Sequence, residues 1–222
     1  MHHPSEQNIK VSADVAVFAI KDGALCVLLI QMKKKPYEAQ WAMPGGLIGD
    51  AETAADAAAR ILKDQTGLDG IYLEQLQTFD APERDALGRV VSVAYMALLP
   101  RAAEDLRTTD KYADVRWWPV AKLPALAYDH AHMAATALAR LRAKLGYTNI
   151  IANLLPASFT LGQLQDAYER VLGQELDKRN FRKKILALGL IEETGRTTAG
   201  AAHRPAALYR FRKRGLTYIE IL

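Results

Sequence analysis

Apolar and polar positions near the start of the chain follow the pattern of β-strands. Residues 11–20 and 24–31 are alternating or continuously apolar segments rich in β-branched side chains, and the turn-forming sequence Lys-Asp-Gly separates them. This pattern predicts two strands joined by a hairpin turn. Three later segments have the same character and predict further strands: residues 71–78, 89–99 and 116–120.

Helical spacing replaces the strand pattern in two segments of the same region. Residues 53–66 are rich in alanine, and Gly67 follows them in the position of a helix C-terminal cap. Residues 129–145 place apolar side chains at helical intervals, and Gly146 ends the pattern. The strands and helices together predict an α/β or α+β unit with a mixed sheet.

The last third of the chain has a different order of elements. Three short helical patterns precede two strand patterns that flank a polar, glycine-containing loop, which is the order of a winged helix-turn-helix. The helical patterns cover residues 149–155, 161–172 and 177–188, and the strand patterns cover residues 190–193 and 207–212. We expect residues 146–148 to act as the pivot between two domains. The predicted divisions are an N-terminal arm of residues 1–10, a first domain of residues 11–146 and a second domain of residues 147–222.

Charge is distributed unevenly between the two predicted domains. The chain carries 17 basic and 18 acidic residues before Tyr147, and 12 basic and 7 acidic residues from Tyr147 onwards, so that the net charges are −1 and +5. The basic excess favours a polyanion as partner of the C-terminal third, although a solvated basic face would give the same numbers. Charge alone leaves both interpretations open.

Cysteine content and hydropathy indicate the compartment. The single cysteine, Cys26, lies in an apolar run and has no partner for an intramolecular disulfide, which favours a reducing cytoplasm. No apolar stretch has the length of a transmembrane helix, and the first residues lack the hydrophobic segment of a secretory signal. We therefore expect a soluble cytoplasmic protein without a membrane partner.

A motif for handling phosphates covers the predicted helix 53–66. The segment that begins at Gly46 has the spacing G-x5-E-x7-R-E-U-x-E-E-x-G-U, in which U is aliphatic, and places Glu52, Arg60 and Gly67 where the pattern requires them. This segment resembles the Nudix box. The resemblance implies the α/β/α sandwich of the Nudix fold for the first domain, so that the chain as a whole is α+β.

The metal ligands of the Nudix box are missing from this sequence. In Nudix hydrolases the glutamates after the box arginine hold divalent metal ions against a diphosphate, and such ions lower the pKa of the attacking water. The three matching positions here hold Ile61, Asp64 and Gln65. We therefore predict neither catalytic residues nor a metal site. Glu52 and Arg60 are interpreted as residues that fix the box loop to the helix by hydrogen bonds or an ion pair.

A Nudix domain without metal ligands can still bind a nucleotide, because recognition also uses the sheet, the glycine-rich loop and basic side chains. Arg84 and Arg89 lie in the turn and strand opposite the box loop, where guanidinium groups could grip a diphosphate. The alternative for both arginines is a solvated hairpin tip. The predicted effector-binding residues are Gly45, Gly46, Arg60, Arg84 and Arg89.

The helix predicted over residues 177–188 has the composition of a DNA-reading helix. Asp177 can cap this helix, while Phe181, Ile185 and Leu188 share one face and leave the basic residues pointing outward. Arginine and lysine can pair with guanine or phosphate, and asparagine can pair with adenine. A solvated basic face is the alternative. The predicted DNA-binding residues of the helix are Lys178, Arg179, Asn180, Arg182 and Lys183.

The segments on either side of the basic helix favour DNA binding over that alternative. Thr160, with Gln163 three residues later, forms a capping-box pattern that begins a positioning helix. A polar loop after the basic helix supplies Arg196 and Arg204, which we expect to reach a minor groove or phosphates as part of a wing. These elements together complete the predicted winged helix-turn-helix.

Six segments within about residues 11–212 resemble the Nudix-related transcriptional regulators of NAD metabolism known as the NrtR family. The resemblance implies a homodimeric repressor whose winged helices bind a palindromic operator upstream of genes of NAD synthesis or salvage. It also implies ADP-ribose or a related NAD derivative as the effector that releases the DNA, with no required cofactor. The segments are residues 38–46, 88–95, 126–130, 153–156, 177–184 and 189–195.

Three alternatives stay open at this point. Related regulators respond to sugars or sugar phosphates, so the effector is less specified than the DNA. The chain could instead be an ADP-ribose pyrophosphatase with an accessory domain, in which Glu52 and Asp64 hold a weakened metal site. It could also bind nucleic acid without sequence preference, which a comparison of a palindrome with random duplex would reveal.

Overall fold

The contacts of the chain divide it into two compact units. The computed structural model describes residues 8–103, 106–198, 205–213 and 215–219. The second unit consists of residues 138–222 with two short segments, 19–25 and 99–102, and the rest of the chain forms the first unit. Within the described part of the chain, no helix combines the length and the apolar character that a membrane span needs.

A seven-stranded sheet forms the centre of the first unit. Its strands are β1 (Lys10–Lys21), β2 (Ala24–Met32), β3 (Trp41–Ala42), β4 (Gly45–Leu47), β5 (Tyr72–Phe79), β6 (Val90–Leu98) and β7 (Tyr112–Pro119). Five strands run across the sheet in the order β3-β2-β1-β6-β5, while β4 pairs with β1 and β7 pairs with β2. The β1–β6 pair is parallel and the β5–β6 pair is antiparallel, which confirms the predicted mixed sheet.

The core of the first unit is built around β1. Seven consecutive residues of this strand within the first unit, from Ser12 to Phe18, are buried. A strand is buried at successive positions only when both of its faces are covered, because alternate side chains point to opposite faces. This burial is typical of the α/β/α sandwich that the sequence predicts.

The box helix, α1 (Ala54–Thr66), begins and ends at residues that satisfy its terminal backbone groups. The Thr53 side chain accepts from the Asp56 amide, and the Asp56 carboxylate accepts from the Thr53 amide. Gly67 has a φ of 77°, and its N–H donates to the Lys63 carbonyl. The left-handed conformation favours glycine here, so the helix ends where the sequence predicts.

The second unit has the order of a winged helix. The last turns of α2 (His130–Leu145) lead into a short 3-10 helix and the helices α3 and α4, and two antiparallel strands follow. The bounds are Ile150–Leu154 for the 3-10 helix, Leu161–Leu172 for α3, Lys178–Ala187 for α4, Ile191–Thr197 for β8 and Ala207–Phe211 for β9. The predicted capping box of α3 is present, because Thr160 and Gln163 exchange hydrogen bonds.

Residues 146–148, which the sequence predicts to be the pivot between the two domains, are hydrogen-bonded within the second unit. The buried Thr148 hydroxyl donates to the Lys144 carbonyl over 2.7 Å, and the Ile219 N–H donates to the Tyr147 carbonyl. The neighbouring Asn149 side chain is bonded to three backbone groups, those of Lys213, Gly215 and Thr217. These bonds tie the segment to the second unit, whose main segment begins at residue 138, and the pivot stays a prediction.

Candidate functional site

Gly45 and Gly46 are the first two residues of β4 and of the segment that leads into α1. This pair, called the loop 45–46, is held by polar groups on two sides. The Gln65 side chain, 7% exposed, accepts from the Gly45 N–H over 3.2 Å and donates to the Gly45 carbonyl over 2.8 Å. On the other side, a Cβ on residue 45 would lie 1.8 Å from Asp14 Oδ1. Only glycine fits this approach, so the two predicted effector-binding glycines lie in a loop whose position is fixed by β1 and α1.

The box loop is the segment 45–53, which runs from β4 to the start of α1. Arg60 and Glu52 join it to α1, as the sequence predicts. Arg60 Nε donates to one carboxylate oxygen of Glu52 over 2.9 Å, and Arg60 Nη2 donates to the other and to the Leu47 carbonyl. Glu52 also accepts from the Gly49 amide. The hydrogen bonds from Arg60 and Gly49 lower the pKa of Glu52 to about 2. Both residues are thus engaged with each other and with the loop.

The residues at the metal-binding positions of the box do not fit a divalent cation. Ile61 is 1% exposed, and its side chain lies 3.6 Å from where a Cβ on Gly46 would stand. Gln65 is bonded to Gly45, and Asp64 is exposed at 3.9 Å from Arg60. Among the described residues there is no group of three or more histidine, cysteine, aspartate or glutamate side chains that could hold a metal ion.

The expectation that Arg84 offers a free guanidinium to a diphosphate is wrong. Its side chain is 3% exposed and forms two hydrogen bonds with Asp129, of 3.1 and 2.8 Å, and a longer contact of 3.5 Å with Asp14. A guanidinium brought into the protein interior needs such charged partners, because burial removes its solvation by water. Arg84 therefore stabilises the buried carboxylates of Asp14 and Asp129, of which Asp14 lies against Gly45. It does not lie on the surface of the site.

A buried polar network around Asp14 was not predicted from the sequence. Asp14 accepts from Ser92 Oγ over 2.5 Å and lies 3.7 Å from His130 Nε2. His130 Nδ1 accepts from the Met43 amide over 2.9 Å, so the neutral ring carries its proton on Nε2. Complete burial lowers the pKa of His130, which keeps the ring neutral. The only sign of this network in the sequence is Asp14, the single charged residue within the apolar segment 11–20.

Arg89 closes the loop of residues 80–89. Its Nη1 donates to the carbonyls of Asp80 over 2.6 Å and Ala81 over 3.2 Å, and the side chain is half-buried. These bonds fix the conformation of the loop. The contact between Arg89 and an effector stays a prediction. The structure thus brings Gly45, Gly46 and Arg60 together at the box loop and separates Arg84 from them by burial.

The basic residues of α4 lie on its exposed face, as predicted. The Asp177 side chain accepts from the Asn180 amide over 2.8 Å and caps the helix. Ile185 is 4% exposed, and the Phe181 ring contacts the Tyr168 ring edge-on at 5.4 Å. The inward face is therefore apolar. The exposed residues are Lys178, Arg179, Asn180, Arg182 and Lys183.

The turn between α3 and α4 is fixed by two side chains that the sequence did not single out. Gln165 Nε2 donates to the Leu176 carbonyl over 2.8 Å and to Glu169 over 2.9 Å. Glu169 also accepts from the Leu176 amide, and this bond and that from Gln165 lower the pKa of Glu169. The turn thereby sets the position at which α4 begins relative to α3 within the second unit.

The wing strands are fixed by ion pairs at their base. Glu192 on β8 binds Arg210 over 2.8 Å and Arg212 over 3.2 Å, and the Tyr209 hydroxyl donates to Glu193. The predicted wing residue Arg196 is exposed on β8. Arg204 lies outside the described residues, so its place in the wing stays a prediction.

Comparison with known families identifies both units separately. The model of the NUDIX domain matches residues 9–141, and the model of the NrtR DNA-binding winged helix domain matches residues 151–211. The chain is 37% identical over 205 residues to the ADPR responsive transcriptional repressor NtrR of Acinetobacter baylyi, covering 90% of this chain and 81% of that protein. It is also 32% identical over 116 residues to an ADP-ribose pyrophosphatase of Methanocaldococcus jannaschii, covering 52% of this chain and 68% of that enzyme.

Solved structures of Shewanella oneidensis NrtR are similar to this chain. The protein in complex with a 27mer DNA has a TM-score of 0.77 at 32% identity, covering 91% of this chain and 93% of that one. Its NUDIX domain in complex with ADP ribose has a TM-score of 0.56 at 32% identity, covering 63% of this chain and 94% of that one. The similarity therefore extends over both units of the chain.

Proposed function

Because the chain belongs to the NrtR family of Nudix-related transcriptional regulators, we propose that it is a repressor that binds operator DNA and releases it when ADP-ribose binds. The observation that carries the proposal is the exposed basic face of α4 behind a turn fixed by Gln165 and Glu169. This unit occurs in one chain with a Nudix domain whose metal-binding positions are filled by other groups. A DNA-reading surface is thus joined to a nucleotide-binding fold.

DNA binding is assigned to the N-terminal half of α4. Arg179 and Arg182 are positioned to pair with guanine edges or phosphates in a major groove, and Asn180 is suited to pair with adenine. Lys178 and Lys183 supply phosphate contacts, which contribute affinity without sequence preference. Wing contacts come from Arg196 and Arg204. Two copies of the chain in a homodimer would place two such helices on a palindromic operator.

Effector binding is assigned to the box loop of the first unit. The loop 45–46 and Arg60 bind the diphosphate of ADP-ribose, and Arg89 lies on the neighbouring loop of residues 80–89. ADP-ribose must favour a conformation of the dimer with lower affinity for DNA, because a ligand that binds both states equally shifts nothing. The regulated genes are those of NAD synthesis or salvage, and the effector requires no additional cofactor.

Hydrolysis of the bound nucleotide is not part of the proposed function. A Nudix hydrolase needs a carboxylate cage for its cations, and of the candidate ligands here Glu52 is committed to Arg60 and Asp64 points to the exposed side of α1. Release of AMP from ADP-ribose in the presence of Mg²⁺ or Mn²⁺, above a metal-free control, would contradict this part of the proposal. The pyrophosphatase alternative predicts that release.

The central test measures DNA binding with and without the effector. Operator duplexes are first selected from a random library with the wild-type protein, and their affinity is then measured by fluorescence anisotropy against shuffled duplex. We expect the selected palindrome to be preferred and ADP-ribose to weaken its binding at least tenfold. Ribose 5-phosphate and NAD serve as matched effectors of related chemistry. Equal affinity for selected and shuffled duplex, or no response to any nucleotide, would refute the repressor function.

A further inference from the structure

Gln65 makes a pair of hydrogen bonds that a glutamate at the same position could not make. Its amide donates to the Gly45 carbonyl and accepts from the Gly45 N–H. A carboxylate at residue 65 would accept from the N–H, but it would face the carbonyl oxygen at the 2.8 Å distance with no proton between them. A cation would then be needed between the two oxygens. The amide removes that need because it carries a donor and an acceptor side by side.

Three residues of α1 reach three successive residues of the loop. Arg60 donates to the Leu47 carbonyl, Ile61 packs beside Gly46, and Gln65 binds Gly45. Arg60 belongs to the Nudix pattern, whereas Ile61 and Gln65 replace two of its metal-binding glutamates. Ile61 fills the volume beside Gly46 with hydrocarbon, and the buried Gln65 side chain satisfies the backbone N–H and carbonyl of Gly45. The two replacements therefore act on adjacent residues of one loop.

We propose that Gln65, supported by Ile61, takes over the structural part of the task of a divalent cation and holds the loop 45–46 in its nucleotide-binding shape. Gln65 is a positioning residue, since it acts through the backbone of Gly45. The inference rests on the proposed function and deepens it: binding of ADP-ribose by this chain does not depend on a divalent cation. The opposite face of the loop needs no cation either, because Asp14 and its partners already occupy it.

The sharpest test exchanges one atom of the side chain. The variant Gln65→Glu keeps the size of residue 65 but removes the donor to the Gly45 carbonyl. We measure the affinity for ADP-ribose by calorimetry, in EDTA and in Mn²⁺. Wild-type affinity is expected to agree within twofold between the two conditions. The variant is expected to bind about tenfold more weakly in EDTA and to recover at least half of that loss in Mn²⁺.

The matched control is Gln31→Glu, which makes the same chemical change at a glutamine whose amide donates to the Ala39 carbonyl in a different turn. This control is expected to bind ADP-ribose like the wild type in both conditions. A purely structural loss at residue 65 would lower affinity without recovery in Mn²⁺. Recovery by Mn²⁺ is therefore the measurement that distinguishes replacement of a cation from simple damage to the fold.

A second variant, Gln65→Met, keeps the inference testable if Gln65→Glu does not fold. Methionine preserves the volume but removes both bonds to Gly45, so we expect weaker ADP-ribose binding that Mn²⁺ does not restore. Wild-type binding that disappears in EDTA, or Gln65→Glu binding that equals the wild type in EDTA, would overturn the inference. If the wild type binds no ADP-ribose at all, the proposed function fails. The inference is then decided by whether Mn²⁺ raises the melting temperature of Gln65→Glu but not of the wild type.

Discussion

The two units of this protein use their arginines in opposite ways. In the first unit, Arg60, Arg84 and Arg89 all donate to carboxylates or carbonyls of the protein itself. In the second unit, Arg179 and Arg182 stand exposed on α4. The second unit has exceptions: Arg142 donates to the Val171 carbonyl, and Arg210 on β9 and Arg212 just after it bind Glu192.

This difference follows from what each unit is proposed to bind. A small diphosphate needs donors at fixed places, and internal hydrogen bonds keep loop and side chains in those places before the ligand arrives. DNA presents a row of phosphates and an edge of bases, so cations on an exposed helix gain their partners from the DNA. Mutations in the first unit should therefore affect stability first, and mutations on α4 should affect DNA affinity alone.

The largest effect is expected from Arg84→Met. Without its guanidinium, the carboxylates of Asp14 and Asp129 lose their charged partner in a buried site, which costs about 3–5 kcal/mol of unfolding free energy. Urea denaturation followed by tryptophan fluorescence measures this in the first unit, where all three tryptophans lie. The control Arg116→Met breaks an exposed ion pair with Asp114 and should cost less than about 1 kcal/mol. Equal losses in the two variants would contradict the buried role of Arg84.

On α4 the expected effect is on affinity and not on folding. The double variant Arg179→Ala, Arg182→Ala should weaken binding of the selected operator by about 2–3 kcal/mol, or roughly 30- to 150-fold, with ADP-ribose affinity unchanged. Anisotropy titrations on operator and shuffled duplex measure the change. Lys183→Ala is the comparison. Loss of a phosphate contact should weaken binding to both duplexes alike and reduce the salt dependence of binding by about one ion. Loss of ADP-ribose binding in the double variant would mean that the two units do not work separately.

The same contrast explains what could be predicted from the sequence. The exposed face of α4 and the ends of α1 and α3 were predicted correctly, because local spacing and capping residues determine them. The Glu52–Arg60 pair was also predicted, since the box spacing places the two side chains together. These features depend on residues within eight positions of each other.

Long-range contacts were beyond the reach of local patterns. Arg84 was expected at the surface because it lies in a charged turn, but its partners are 45 and 70 residues away along the chain. The bonds of Asn149 to backbone groups 64 to 68 residues away were not predicted for the same reason. The role of Gln65 required the position of Gly45, which only the folded β4 supplies.

Lowering the pH is expected to reduce the free energy of unfolding of the first unit by an intermediate amount. Burial lowers the pKa of His130, so the unfolded chain binds a proton below the ordinary pKa of about 6.5 while the folded chain does not. Stability should therefore be complete above that pH and fall as the pH is lowered, by at most about 1.4 kcal/mol for each pH unit. Urea denaturation between pH 7.5 and 5.5 measures the slope, and His130→Gln should flatten it. The described residues of the second unit contain no histidine, so an equal slope there would contradict the assignment.

The smallest effect compares two capping boxes of the same design. Thr53 caps α1 in the first unit and Thr160 caps α3 in the second, each with a partner three residues later. Replacing either threonine with alanine should cost about 1 kcal/mol, and replacing it with serine should cost much less because the hydroxyl remains. Amide hydrogen exchange read by mass spectrometry reports on each unit separately. We expect Thr53→Ala to speed exchange in the first unit and Thr160→Ala in the second, since each cap bonds only within its own unit. If either variant sped exchange equally in both units, the arginine contrast would lie within one cooperative structure and could not be attributed to separate domains.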